Sequence, residues 1–383
     1  MARERSIAHR VSSLRPSATV EMTEKVRAAR AAGRRILSLA SGDPGIPTDP
    51  RIIEAAHGAL KAGNTRYGPV LGDAHLRQAL ALHENRRSGA SYEDADIIVT
   101  PGGKFALLTA LMSIVGPECE VLVPEPGWVS YGPCVQLCGG TPVLLPMLDQ
   151  LDLAAMETAL TDRTVAVIVN SPVNPTGRVL QRSEIDGLVA LAERHNLWIV
   201  FDQVYSDLVH AGAFPTPQAT AKGRPITFVV DSFSKTFGMT GWRLGYLAVP
   251  PQLAKPVSRF IQHSIYCVPG AVQAAGLKAL QIYDDVIPGY RAVFRRRQQE
   301  AAARLNAVPG IECKAPGASF YLFPHVDADD RALAARWLDE HDIATVPGSA
   351  FGKAGSGHLR LTVTAPDAEI DEALRRIETM GVR

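Results

Sequence analysis

Four side chains of different chemistry follow apolar runs in this 383-residue chain: Asn174 in NSPVNPTG (170–177), Asp202 and Tyr205 in DQVY (202–205), and Lys235 in DSFSK (231–235). The runs before them are TVAVIV (164–169), LWIVF (197–201) and ITFVV (226–230). If those runs are parallel strands of one sheet, their carboxyl ends share a rim where loops expose polar groups above an apolar floor. An amide, a carboxylate, a phenol and an amine around one pocket suit an aromatic nitrogen heterocycle that carries a phenolic oxygen. A phosphate needs donors and positive charge, and a helix N-terminus supplies both. Pro101-Gly102-Gly103-Lys104, between DIIVT (96–100) and a helical stretch, is placed to provide one.

The elements that must hold these groups are legible around them. The three runs, with 96–100 and EVLV (120–123), are continuously apolar, which suits strands buried on both faces. Residues 104–115 and 182–195 repeat apolar positions at helical spacing. This βαβα order implies an α/β fold with an open, mostly parallel sheet sandwiched by helices. Composition then changes: an Arg-rich helix over 284–306, an aromatic strand over 317–323 (GASFYLF), a helix over 331–340, a strand over 358–363 and a last helix over 367–380 suggest a smaller α+β domain. The helix at 20–32 is expected to pack there, because chain ends usually lie close. The expected division is a large domain over 45–285 and a small one over 1–44 plus 286–383.

Composition removes several classes. Lys+Arg 40 against Asp+Glu 39 leaves a net charge of +1, so neither nucleic acid nor a membrane surface is an expected partner. At 46% hydrophobic content, disorder is not the main state. The five cysteines are odd in number and show no CxxC spacing, which fits a reduced compartment. The N-terminal segment lacks the apolar core of a signal peptide, and the longest apolar-rich stretch, 105–115, falls short of a membrane span. A soluble, cytoplasmic protein is the expectation, with no metal. HExxH, GxSxG, GxGxxG with a following acidic residue, and GxxxxGK[ST] are all missing, which disfavours metal hydrolases, serine hydrolases and nucleotide enzymes.

SLASGDPGIP (38–47), NPTG (174–177), DQVY (202–205), SFSKTFGMTGWRLGY (232–246) and HLRLTV (358–363) occur in that order. With them the chain resembles, over nearly its whole length, the class I/II aminotransferases, pyridoxal 5'-phosphate (PLP) enzymes of fold type I. The resemblance implies that Lys235 forms a Schiff base with PLP and later shuttles the substrate proton. It implies that Asp202 pairs with the pyridine nitrogen, and that Tyr205 and Asn174 bond the phenolic oxygen. Gly103, Lys104, Ser232, Ser234 and Arg243 would hold the phosphate. Trp128, in PEPGWVSY, would stack on the ring and border the substrate. Arg360 would grip the substrate α-carboxylate as a fork, with Gly42 and Asn174 beside it. Tyr67 would reach the phosphate of a second subunit, which implies a homodimer with shared sites, and residues 263–269 would border the partner's site.

The activity so implied is ping-pong transfer of an amino group between an amino acid and a 2-oxo acid, with glutamate or aspartate in one half-reaction. A PLP-dependent lyase or decarboxylase on the same fold is the alternative, since the same carbanion can expel a leaving group. A PLP-binding regulator is a remoter one, since no spare basic segment accompanies the fold. Asp43 and Gly45 stand where the family commonly has Glu and Asp, Gln203 where Glu usually follows the pyridine-pairing aspartate, and Val173 where Asn usually precedes the NPTG asparagine.

Overall fold

A computed structural model of the chain describes residues 7–14 and 16–382. At its centre is a seven-stranded sheet: β1 (Ile97–Thr100), β2 (Glu120–Glu125), β3 (Thr141–Pro146), β4 (Thr164–Asn170), β5 (Trp198–Asp202), β6 (Thr227–Ser232) and β7 (Gly245–Ala248). Their spatial order is β1-β7-β6-β5-β4-β2-β3. All neighbours run parallel except β7, which is antiparallel to both β1 and β6.

Alternate residues of a strand face opposite sides of its sheet, and both sides are buried here. Val167, Val169, Ile199 and Phe201 pack with Ile185 and Leu188 of helix Arg182–Arg194. Ala166, Ile168, Val200, Phe228 and Val230 pack with Ala106, Leu107 and Leu111 of helix Gly103–Ile114. Continuous apolar runs are therefore required of the central strands, and they are what the sequence carries.

Two strands had no such run. The segment TPVLLP of β3 holds two prolines and is partly exposed, because it lies at the sheet edge, where a missing N–H is tolerated. GYLA of β7 is short and returns against the parallel grain of the sheet. The expected strand at 317–323 is corrected to Tyr321–Leu322 alone. Ser319 stands in the left-handed region at φ 61°, and an extended run cannot pass through it.

Helices Tyr283–Asn306, Asp330–His341 and Asp367–Met380 enclose a second core of Phe294, Leu305, Trp337, Leu359 and Leu374. Strand Leu359–Thr362 lies there between Tyr321–Leu322 and Val346–Pro347. Helix Ala18–Ala31 places Met22 and Val26 against Leu338, Ala344, Val346 and Phe351, as expected of it. Leu37–Ser38 pairs in parallel with Ile343–Ala344, so the start of the chain is stitched to its late segments.

Candidate active site

Strands β4, β5 and β6 end on one rim, and the polar residues expected just after them belong to their last rungs: Asn170 is in register with Asp202, and Ser232 closes β6. Asn170 donates from Nδ2 to the Asp202 carbonyl (2.9 Å) and accepts the Asn174 N–H at Oδ1 (2.8 Å), which bends the following loop inward. Ser232 caps the one-turn helix Phe233–Thr236, accepting the Ser234 N–H (3.2 Å) and donating to Ser234 Oγ (2.9 Å). Lys235 rides on that turn.

Every residue given a catalytic, cofactor or substrate role above, Tyr67 excepted, lines one cavity of about 300 Å³, whereas Asp43, Gly45, Val173 and Gln203 do not. A larger and more open groove of about 1400 Å³, walled by residues such as Arg178, Phe214, Lys314 and His325, contains none of them. Volume and chemistry point to different places, and the smaller cavity holds the reactive groups. Tyr67 is 87% exposed and meets Tyr266 edge-on at 5.0 Å, away from the cavity of its own chain.

Charge inside the cavity is shifted toward neutrality. Burial lowers the Lys235 amine to about 8, opposed by Asp43 and assisted by Arg360 and Arg243, and Nζ donates to the Gly42 carbonyl at 2.7 Å. Burial raises the Asp202 carboxyl to about 6. Pulling it back down are the Tyr131 hydroxyl on Oδ2 (2.8 Å), the Val204 N–H on Oδ1 (3.2 Å) and Lys235. The Tyr205 and Tyr321 hydroxyls share a hydrogen bond of 2.7 Å.

Arg360, 2% exposed, donates from Nη1 to Asn174 Oδ1 (3.1 Å) and from Nη2 to the Ala40 carbonyl (2.8 Å). Its guanidinium lies 4.8 Å and 4.9 Å from the Tyr321 and Phe351 ring centroids. Its Nε is buried without a partner, a donor that a substrate oxygen can satisfy.

The remaining wall is built for an anion. Gly102 adopts φ +90°, and a Cβ there would stand 2.6 Å from Arg243 Nη2, so only glycine lets the arginine lie across the start of helix Gly103–Ile114. A Cβ on Gly245 would meet Gly102 and Asp231 backbone at under 3 Å, so the three segments are tightly apposed. Unpaired helix N–H groups, two serine hydroxyls and a guanidinium form a set that fits a phosphate. With a carboxylate, a phenol, an amide and a buried amine beyond it, the residues present fit PLP. Lys104 lines the same cavity, with its Nζ 5.0 Å from the Trp128 ring centroid.

Tyr131, Tyr321 and the Thr19–Thr23 face of the first long helix also line the cavity and were not anticipated. Tyr131 lies three residues after Trp128 and Tyr321 sits in the aromatic run GASFYLF, so a helical repeat and a strand alternation were the available signals. The departures have local causes. Gly45 adopts φ +68° with its Cβ position 2.1 Å from the Thr364 carbonyl, so aspartate would collide there. Asp43 accepts from Thr240 Oγ1 (2.5 Å) and from the Gly45 N–H (2.9 Å), holding the loop closed on itself. Gln203 turns away from the cavity altogether. Among the described residues no His/Cys/Asp/Glu cluster could hold a metal, and no helix is long and apolar enough to cross a membrane.

Known proteins resemble the chain over nearly its whole length. The family model "Aminotransferase class I and II" matches residues 34–377. The aspartate aminotransferase of Thermotoga maritima is 35% identical over 376 residues, covering 97% of this chain and 98% of its own. The aspartate/prephenate aminotransferase of Cereibacter sphaeroides is 34% identical over 388 residues, covering 96% of each. Among solved structures, Thermus thermophilus aspartate aminotransferase with maleate superposes with a TM-score of 0.93 at 33% identity, covering 98% of this chain and all of that one.

Proposed function

The chain belongs to the class I and II aminotransferases, and on that premise we propose that it moves the amino group of aspartate or glutamate to a 2-oxo acid in a ping-pong cycle. Reaction class, fold type I architecture and the PLP cofactor come with the family. The observation that carries the residue assignments is Lys235, whose amine burial lowers to about 8, in one cavity with Asp202, Arg360 and a set of groups that fits a phosphate.

PLP, when bound, supplies a carbonyl that condenses with amines and a ring that accepts electrons. Lys235 Nζ, neutral in part near pH 7.5, would take the proton from the substrate α-carbon and return it to the carbon on the other side of the amino nitrogen. Asp202 would pair with the ring nitrogen, its carboxylate favouring a proton there. Tyr205 and Asn174 would donate to the phenolic oxygen, and Trp128 would cover the ring. Gly103, Lys104, Ser232, Ser234 and Arg243 would hold the phosphate. Arg360 takes the α-carboxylate with the help of its free Nε, beside Asn174 and the Gly42 backbone.

Lys104 supports a dicarboxylic substrate, because its ammonium stands in the cavity with no ion-pair partner among the described residues. The relatives named above act, by their names, on aspartate. A homodimer is supported by the exposure of Tyr67 beside Tyr266 of the 263–269 segment, since in a dimer both would border a second subunit's site. The division into a large domain, 45–285, and a small one, 1–44 plus 286–383, is supported by the separate cores; residues 1–6, 15 and 383 of that range lie outside those described. Five free cysteines support a reduced, cytoplasmic setting.

The test is to supply purified protein with aspartate and 2-oxoglutarate and to treat a second sample with borohydride. Glutamate and oxaloacetate should appear in equal amounts, and the cofactor should be fixed to the peptide carrying Lys235. Release of ammonia or carbon dioxide in place of glutamate would move the assignment to lyase or decarboxylase chemistry.

A further inference from the structure

Directly behind the cavity lies a second polar assembly that no part of the mechanism uses. Arg87, from helix Ala74–Ser88, donates through Nη2 to Glu84 Oε2 (2.5 Å) and Asp231 Oδ2 (2.7 Å). Through Nη1 it reaches Ser206 Oγ (2.5 Å) and Asp207 Oδ2 (3.2 Å). Gln203 Nε2 donates to Glu84 Oε2 (2.8 Å) and Asp231 Oδ2 (3.3 Å). The Tyr246 hydroxyl lies 2.9 Å and 3.1 Å from the same two oxygens. Two carboxylate oxygens thus share three donors. At the periphery, His83 and Tyr283 bond the Asp207 carboxylate, Arg291 bonds its carbonyl, and Gln218 bonds both Glu84 and Gln203.

These residues alternate in sequence with those of the active site. Gln203 follows Asp202, Ser206 and Asp207 follow Tyr205, Asp231 precedes Ser232, and Thr236, bonded to Asp207 Oδ2 at 3.3 Å, follows Lys235. Asp231 Oδ1 also takes the Ser232 N–H directly, at 2.6 Å. One guanidinium therefore bonds the back of both segments whose fronts carry the chemistry.

We propose that Arg87 is a positioning residue for transamination: by gripping Ser206–Asp207 and Asp231 at once, it sets the spacing between Asp202 and Tyr205 on one segment and Ser232 and Lys235 on the other. The proposal rests on the roles assigned above to those four residues. A planar fork can reach both segments with directed bonds, whereas an ammonium makes a point contact. It also accounts for the amide at position 203. Glu84, Asp207 and Asp231 already surround Arg87, and a fourth carboxylate would face two of them without a hydrogen to donate.

Arg87→Lys, Gln203→Glu and Tyr246→Phe test it in the holoenzyme. Arg87→Lys should lower kcat by about tenfold or more while the amino-donor KM stays within about twofold, because misplacement of reacting groups weakens the transition state more than binding. PLP should leave the diluted holoenzyme about tenfold faster. Gln203→Glu should show the same losses at pH 8 and recover part of them at pH 6, where the added carboxyl regains a proton and donates again. Tyr246→Phe should give a smaller loss in the same direction. Folded variants that melt lower yet keep wild-type kcat, cofactor release and visible absorbance would make the assembly purely structural and overturn the proposal. If Arg87→Lys does not fold, the other two variants decide by the same readouts. Wild-type protein unable to transaminate would instead remove the reading on which the proposal rests.

Discussion

Asp202 and Asp231 stand on adjacent strands of one sheet, each 3% exposed, and each is pushed up to about 6. The causes differ. For Asp202 the cause is burial alone, held in check by Tyr131, the Val204 N–H and Lys235. For Asp231 burial is offset by Arg87 and then reinforced by the like charges of Asp207 and Glu84. A perturbed carboxyl therefore does not by itself mark a reacting group. What separates them is access: Asp202 lines the cavity, while Asp231 spends its oxygens on Arg87, Gln203, Tyr246 and Ser232. Two arginines repeat the contrast: the Nε of each is buried without a partner, but Arg360 lines the cavity, whereas Arg87 lies outside it and holds carboxylates with both terminal nitrogens.

The largest effect expected is at the open carboxylate. Asp202→Ala should still bind PLP but lose kcat by about three orders of magnitude, as each ~1.4 kcal/mol of transition-state stabilisation is tenfold in rate. Half-reaction rates near wild type, followed by stopped-flow absorbance, would erase the distinction between the two aspartates. Next comes the open arginine. Arg360→Lys should cost about 2–3 kcal/mol, roughly 30- to 150-fold in kcat/KM, for every donor and acceptor alike, with cofactor absorbance unchanged. A loss confined to dicarboxylic substrates would place Arg360 at the side chain instead. The smallest effect sharpens the pKa argument. Tyr131→Phe removes a bond that lowers the Asp202 carboxyl, so the carboxyl should protonate at higher pH and the acid limb of kcat/KM should move upward, with a loss of only a few-fold at pH 8. An unmoved acid limb would show that another group sets it.

Much of the front of the site was readable because each reactive side chain follows an apolar run buried on both faces, as Phe201 and Asp202 illustrate. The edge strand Thr141–Pro146 was hidden by its prolines. Tyr131 and Tyr321 were hidden by the roles that aromatics usually play in cores. The assembly around Arg87 was the least legible. The helix AHLRQALALHENRRS reads as a solvated surface, and nothing local reveals that its Glu84 is 0% exposed, since burial of that face comes from strands far along the chain.

The pairing of Leu37–Ser38 with Ile343–Ala344 bears on the order in which the enzyme is made. A nascent chain folds from its N-terminal side as it leaves the ribosome. The central sheet has its last strand once Ala248 is made, while residues 37–40 still lack a strand partner. The Ala40 carbonyl waits longer, until Arg360 arrives to bond it. The two sides of the cavity therefore come from chain made at different times: Lys235 and Arg243 precede residue 249, whereas Arg360 is among the last residues made.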